Sequence, residues 1–148
     1  MSRIARLNVA SAKEWSDFPL AVEVVDSACE KYDAIVCLEV IEHVPQPEQF
    51  SAALSNFLEP DGILFISECF DGIEDRWPTH LYENEAYAGM LPLVLQRHFR
   101  LVGSNHQPFG KPYVYQKLRN PPPSDTPLLL FDRFAMMQIV TSRLELGI

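Results

Sequence analysis

The fold is decided by one stretch of the chain, Tyr32-Asp33-Ala34-Ile35-Val36-Cys37-Leu38-Glu39-Val40-Ile41-Glu42-His43-Val44. Residues 34–38 within it are almost all apolar and include β-branched members, which predicts a strand buried on both faces, as in a parallel sheet. Ligands of open α/β sheets bind outside the carboxyl ends of the strands. We therefore expect Glu39, Glu42 and His43 to lie together at a site at the end of this strand.

Composition and charge limit the classes of partner. The 148 residues suffice for one domain with a single core, and the 47% hydrophobic and 22% charged residues are typical of globular proteins. A formal net charge of −8 repels phosphate backbones, so we expect a small-molecule substrate and no nucleic acid. The apolar runs are too short for a secretory signal or a membrane span, which favours a cytoplasmic protein without a membrane partner.

The three cysteines, Cys29, Cys37 and Cys69, are widely spaced and odd in number. They lack the Cys-x-x-Cys pairs of a zinc site and the pattern of a disulfide framework, so we expect three reduced thiols. Within the apolar strand, Cys37 is expected to pack as a small apolar side chain and not to act as a nucleophile.

A strand, a helix and a second strand follow one another after the polar cluster. Pro47 suits the first turn of a helix, where its missing N–H costs nothing. Apolar residues then recur at helical spacing, namely Phe50, Ala53, Leu54, Phe57 and Leu58. Residues 60–62, Pro-Asp-Gly, end this helix, and residues 63–67 form a second buried strand. This unit predicts a parallel crossover and an α/β fold.

Segments before the crossover predict two further strands, at residues 3–9 and 21–25, with a helix at residues 10–18 between them. A short link joins residues 21–25 to residues 34–38, and both runs are apolar. We therefore expect them to be neighbours in the sheet, unless residues 34–38 form a long apolar edge.

Segments after the crossover predict a polar loop at residues 71–79, a helix at residues 81–96 and an antiparallel hairpin. The helix has its inner side at Tyr87, Met90, Leu91 and Val94. The two strands of the hairpin are the alternating runs at residues 99–102 and 113–118.

The end of the chain predicts an assembly. Residues 121–127 form a proline-rich spacer and residues 128–146 an apolar helix, so we divide the chain into an α/β domain, residues 1–120, and a tail, residues 121–148. An apolar helix and an exposed apolar strand edge both recruit partners. We therefore predict a homo-oligomer or a complex with a partner chain, with the helix docked on a sheet face or exchanged between subunits.

Four short motifs follow one another in a characteristic order. They are Tyr32-Asp33-Ala34-Ile35-Val36, Glu39-Val40-Ile41-Glu42-His43-Val44, Leu58-Glu59-Pro60-Asp61-Gly62 and Thr79-His80-Leu81-Tyr82. From residue 22 to about residue 118, the chain resembles the second half of a class I S-adenosylmethionine-dependent methyltransferase with a Glu-His-Val signature. The resemblance implies an incomplete Rossmann-like methyltransferase sheet, mostly parallel, with a C-terminal antiparallel hairpin.

The resemblance also implies S-adenosylmethionine as the cofactor. No glycine precedes Gly62, so the glycine-rich loop of the family has no counterpart, and the chain is expected to begin near the second strand of the fold. The residues left to contact the cofactor are Asp26, Ser27 and Leu38. We expect the isolated chain to bind this cofactor weakly or not at all.

A metal site is the second implication of the resemblance. In ubiquinone-pathway O-methyltransferases and small-RNA ribose methyltransferases, a Glu-x-x-Glu-His run binds a divalent metal that holds the acceptor hydroxyl. Carried over to this chain, Glu39, Glu42 and His43 are ligands together with His80, and the metal is Mg²⁺, Mn²⁺ or Zn²⁺. Glu42 and His43 are also the candidate catalytic residues, with His43 as a general base if no metal binds.

Structural roles compete with these assignments. Glu42 can cap the following turn, His43 can be a hydrogen-bonded wall residue, and His80 can be a loop histidine bonded to the backbone. Three functions therefore stay open. The first is O-methylation of a small hydroxylated metabolite, the second a non-catalytic remnant of the fold that acts as a binding or regulatory partner, and the third metal-dependent hydrolysis.

Overall fold

The computed structural model describes residues 30–70, 79–104, 112–125, 139–140, 143–144 and 147. The chain divides into two compact units, Met1–Glu30 and Lys31–Ile148. The strands predicted at residues 3–9 and 21–25 and the helix predicted at residues 10–18 lie outside the described residues. The strands and helices of the described residues all belong to the second unit, and the domain boundary expected at residue 120 stays a prediction.

Four strands form one sheet: β1 (Tyr32–Cys37), β2 (Leu58–Ile66), β3 (Phe99–Ser104) and β4 (Tyr113–Lys117). Their order across the sheet is β1-β2-β4-β3. The β1/β2 pair is parallel, and the β2/β4 and β3/β4 pairs are antiparallel. The predicted α/β fold, a parallel crossover followed by an antiparallel hairpin, is confirmed.

Two α-helices and two 3-10 segments connect these strands. Helix α1 (Pro47–Phe57) begins with Pro47 in its first turn, as predicted, and α2 (Leu91–Leu95) precedes the hairpin. The 3-10 segments are Ile41–His43, directly after β1, and Tyr82–Tyr87. Within the described stretches, no helix has the length and apolar character needed to cross a membrane.

The helix predicted at residues 81–96 is wrong as a single element. Gly89 has a φ of 69°, in the left-handed region that a continuous helix cannot contain. Pro92 then lies in the first turn of a separate short helix, where its missing N–H is tolerated. The predicted inner side is partly retained, because Leu91 and Val94 are buried.

The start of the second strand also differs from the prediction. We expected residues 60–62 to separate the helix from a strand at residues 63–67, but β2 begins at Leu58, directly after α1. The predicted break is still present within β2, because regular pairing with β1 stops after Leu58 and resumes at Ile63, and Asp61 has a φ of 65°. Leu58 has an extended backbone and is fully buried, so it belongs to the core as a strand residue. Its main chain is held by Lys117, whose Nζ donates to the Leu58 carbonyl at 2.7 Å.

The core lies on one face of the sheet. It joins alternate strand residues to apolar residues of both α-helices; its fully buried members include Ile41, Leu58, Leu64, Ile66, Phe70 and Leu95. Alternate side chains of a strand point to opposite faces. The prediction that residues 34–38 are buried on both faces is wrong, since Val36 is 67% exposed and its β2 partner Phe65 is 38% exposed.

At the end of the chain, residues 139–140 and 143–144 are helical, within the helix predicted at residues 128–146. The Arg143 guanidinium lies 3.5 Å from the Ala88 carbonyl, to which it donates. The predicted assembly through this helix stays a prediction.

Candidate functional site

The site begins where β1 ends. Glu39 has a φ of 52°, a left-handed conformation that is uncommon for a residue with a side chain. Its N–H donates to the Ser67 Oγ at 3.1 Å, and the Ser67 hydroxyl donates to the Glu39 Oε1 at 2.6 Å. Ser67 directly follows β2, and its own N–H donates to the Cys37 carbonyl at 3.2 Å. These bonds join the carboxyl ends of the two parallel strands.

Glu42 lies in the 3-10 turn that follows. Its side chain is fully buried, and neither carboxylate oxygen has a hydrogen-bond partner among the described residues. Burial raises the pKa of the Glu42 carboxyl above its ordinary value. The main-chain N–H of Glu42 itself and the nearby His43 lower this pKa, whereas Glu39 raises it further. A buried carboxylate without partners is costly, which is unusual for a residue that serves only as a cap.

The ring of His43 lies next to the carboxylate of Glu42. Its Nδ1 lies 2.8 Å from the Thr79 carbonyl oxygen. Because a carbonyl only accepts hydrogen bonds, we assign the proton of the neutral imidazole to Nδ1, which leaves a lone pair on Nε2. That Nε2 is 4.0 Å from the Glu42 Oε1. The side chain is 35% exposed, so a ligand can reach it.

His80 completes the group from a distant part of the chain. Its ring meets the ring of His43 edge to face, with a centroid distance of 4.8 Å and an interplanar angle of 76°. His80 is only 9% exposed. One ligand atom from each of Glu42, His43 and His80 lies within 4.8 Å of the others.

The structure thus groups ligand atoms of three of the four predicted metal ligands, and Glu39 lies beside this group without belonging to it. The Oε1 of Glu39 is engaged by Ser67, although its charge still affects Glu42. Of the residues assigned to the cofactor, Leu38 is 47% exposed just beyond β1. Asp26 and Ser27 lie outside the described residues.

Sequence reasoning missed two residues that organise the site. Ser67 is the last residue of the strand predicted at residues 63–67 and directly follows the observed strand β2, so its position at the carboxyl end of a predicted strand could have pointed to it. Asn84 carried no such signal, because it lies in a segment predicted as a regular helix. It is 1% exposed and donates to the carbonyls of Glu42 and Val44, both at 2.9 Å.

The fold and the site together define an α/β protein whose polar site lies at the carboxyl ends of two parallel strands. A family model described as a methyltransferase domain matches residues 3–104 of the chain. The chain belongs to this family, the class I S-adenosylmethionine-dependent methyltransferases. The resemblance inferred from the four motifs is confirmed.

Three relatives carry the description ubiquinone biosynthesis O-methyltransferase. The protein of Idiomarina loihiensis is 28% identical over 102 residues, which are 68% of this chain and 42% of that protein. The protein of Pasteurella multocida is 45% identical over 63 residues, 43% of this chain and 26% of that protein. The protein of Glaesserella parasuis is 53% identical over 38 residues, 26% of this chain and 16% of that protein. The chain therefore spans less than half the length of each of these relatives.

Proposed function

We propose that the chain carries the acceptor-activating part of an S-adenosylmethionine-dependent O-methyltransferase that acts on a small hydroxylated metabolite. Membership of the family supports methyl transfer, and the relatives named for ubiquinone biosynthesis support oxygen as the acceptor atom. The observation that carries the proposal is the buried carboxylate of Glu42, unpaired among the described residues, beside two imidazoles.

A divalent metal fits these residues. Glu42 offers two oxygens that have no hydrogen-bond partner in the described part of the chain, and His43 offers the lone pair of Nε2. His80 offers the second imidazole. One carboxylate with two imidazoles suits Zn²⁺ better than Mg²⁺, which prefers oxygen ligands. When bound, such an ion lowers the pKa of a coordinated hydroxyl and so favours the oxyanion that attacks a methyl group.

His43 is also suited to hold a proton if no metal binds. The Thr79 carbonyl fixes its Nδ1–H, so Nε2 is the atom that can accept the proton of an acceptor hydroxyl. The carboxylate of Glu42, 4.0 Å away, stabilises the imidazolium that results. S-adenosylmethionine, when bound, would supply the methyl group from its sulfonium sulfur to the deprotonated acceptor oxygen and would leave as S-adenosylhomocysteine, while the proton would stay on His43.

The test is a methyl-transfer assay with labelled S-adenosylmethionine and a catechol as acceptor. The cofactor is supplied at millimolar concentration, since we expect the isolated chain to bind it weakly. Glu42→Gln should abolish transfer, whereas Glu83→Gln, the same change at an exposed carboxylate, should leave it unchanged. A chelator should abolish transfer and Zn²⁺ should restore it.

Two other outcomes have definite meanings. Transfer that survives the chelator but is lost in His43→Ala would replace the metal by His43 as general base. No transfer by the wild-type chain with any added metal would contradict the enzymatic proposal and favour the non-catalytic remnant.

A further inference from the structure

Asn84 joins two parts of the chain that are 40 residues apart in sequence. Its side-chain amide donates to the carbonyl oxygens of Glu42 and Val44, both at 2.9 Å, so both amide hydrogens are engaged. These two carbonyls flank His43. The amide of Asn84 therefore holds the main chain on both sides of the histidine.

The segment that contains Asn84 also supplies the partner of the His43 ring. The Leu81 N–H donates to the Glu42 carbonyl at 3.3 Å, and the Thr79 carbonyl accepts from the His43 Nδ1 at 2.8 Å. Within this segment, the main-chain N–H of Asn84 donates to the Leu81 carbonyl at 2.9 Å, which forms a turn. The segment is thus fastened to the 3-10 turn at its two ends, by the His43 ring and by the Asn84 amide.

We propose that Asn84 is a positioning residue, which holds the segment bearing His80 against the turn bearing Glu42 and His43 and so keeps the His43 imidazole in its Nδ1–H tautomer. Only the consequence for metal binding rests on the proposed function. Partners that orient a ligating histidine through its second ring nitrogen set the tautomer and strengthen metal binding.

The chemistry of the amide explains why this position suits asparagine. Two carbonyl acceptors require two hydrogens, which the amide of asparagine supplies and the carboxylate of aspartate does not. Asparagine is a poor choice for stability alone here, because its Oδ1 is buried and has no hydrogen-bond partner among the described residues. A buried amide retained at such a cost is consistent with a role in orienting the site.

The first measurement uses the wild-type chain in the presence of a chelator. Nitrogen NMR of the imidazoles at about pH 8.5, above the ordinary imidazole pKa of about 6.5, should show the Nδ1–H tautomer of His43. Scalar couplings across hydrogen bonds should connect the Asn84 amide to the carbonyls of Glu42 and Val44. Absence of these couplings would overturn the proposal without any variant.

The second measurement compares two substitutions of Asn84 with a control. Asn84→Asp keeps the shape and removes both donors, and Asn84→Ala removes the whole amide. In either variant that folds, His43 should become a mixture of tautomers, and the affinity for Zn²⁺ should fall about 10- to 100-fold. Asn56→Ala, at an exposed position of α1, should change neither property.

The outcomes separate the two proposals. Folded Asn84 variants with an unchanged His43 tautomer would overturn the positioning role, even if they were less stable. A wild-type chain that binds no Zn²⁺ would refute the metal site of the proposed function, while the tautomer comparison would still decide the role of Asn84.

Discussion

Ser67 and Glu39 are joined by two reciprocal hydrogen bonds. The hydroxyl of Ser67 donates to the Glu39 Oε1 at 2.6 Å and accepts the Glu39 N–H at 3.1 Å. The pair stabilises Glu39 at a positive φ, a conformation that costs on the order of 1–3 kcal/mol and persists only where its surroundings impose it. Strained residues of this kind concentrate at functional sites, and this one lies at the start of the candidate site.

Removing that hydroxyl should destabilise the chain. Ser67→Ala leaves the Glu39 N–H without its partner and should lower the free energy of unfolding by about 1–3 kcal/mol, measured by urea denaturation. Ser51→Ala is the matched control, because the Ser51 hydroxyl is equally buried but lacks a hydrogen-bond partner in the described part of the chain. Equal losses of stability in the two variants would contradict the role assigned to the Ser67–Glu39 pair.

The burial of Glu42 should make stability depend on pH in a defined direction. Its pKa in the folded state is raised, so the folded protein holds this proton more tightly than the unfolded chain does. The contribution of Glu42 to stability is therefore fully present below the ordinary carboxyl pKa of about 4.3 and is lost as the pH rises through the raised value. Glu42→Gln should be more stable than the wild type at pH 7, and the difference should vanish near pH 4.

Urea denaturation at a series of pH values measures this difference. Glu83→Gln, at an exposed carboxylate, should show the same small difference from the wild type at every pH. If Glu42→Gln were less stable than the wild type at pH 7, the carboxylate would have a favourable partner in the folded protein, and the candidate site would lose its main support.

Gly62 is required because main-chain atoms of its own strand, β2, and of β1 both lie close to its Cα. A Cβ at this position would lie 2.9 Å from the Glu59 carbonyl oxygen and 3.2 Å from the Asp33 carbonyl oxygen. Main-chain atoms of two strands cannot move aside cheaply, so Gly62→Ala should destabilise the chain by about 1–3 kcal/mol in thermal or urea unfolding.

Gly103 provides the comparison, because a Cβ there would meet only the Val114 side chain, at 3.8 Å and beyond. Gly103→Ala should therefore change stability by no more than about 0.5 kcal/mol. A loss in Gly103→Ala as large as that in Gly62→Ala would show that any added methyl group weakens the sheet.

Cys37 should be inert in the folded protein. Burial raises the pKa of its thiol to about 11, with a further contribution from the charge of Glu42. In a chain with Cys29→Ser and Cys69→Ser, iodoacetamide at pH 7.5 should label Cys37 only after unfolding in urea, as judged by mass spectrometry. Rapid labelling of the folded chain would contradict the assignment of Cys37 to the core.

Local patterns predicted the four strands of the described residues, the crossover and the hairpin, because each depends on short-range periodicity. They failed at residues 81–96, where apolar spacing suggested one helix. The positive φ of Gly89 instead ends the first segment, a feature that periodicity does not encode. The full burial of Leu58 likewise reflects packing against the core, so the early start of β2 was not visible in the sequence.

The sequence predicted those parts of the candidate site in which functional side chains are neighbours along the chain or belong to a family motif. Glu42 and His43 are neighbours in sequence, and the motif containing His80 came with the resemblance. The Thr79 carbonyl contacts the His43 ring, and the Asn84 amide contacts the Glu42 carbonyl. Both contacts join residues at least 36 positions apart in sequence and involve main-chain atoms, so no pattern in a single sequence marks them. Glu39 lies beside Glu42, His43 and His80, but its carboxylate accepts a hydrogen bond from the Ser67 hydroxyl. The sequence does not indicate this side-chain contact.

Calorimetric titration with Zn²⁺ tests the metal site most directly, because it measures binding without requiring the cofactor or the acceptor. The wild-type chain and Glu83→Gln should each bind one ion with the same affinity, and Glu42→Gln and His80→Ala should lose that binding while remaining folded by circular dichroism. Equal affinity in the wild type and in Glu42→Gln, or no binding by the wild type, would contradict a metal site at Glu42, His43 and His80.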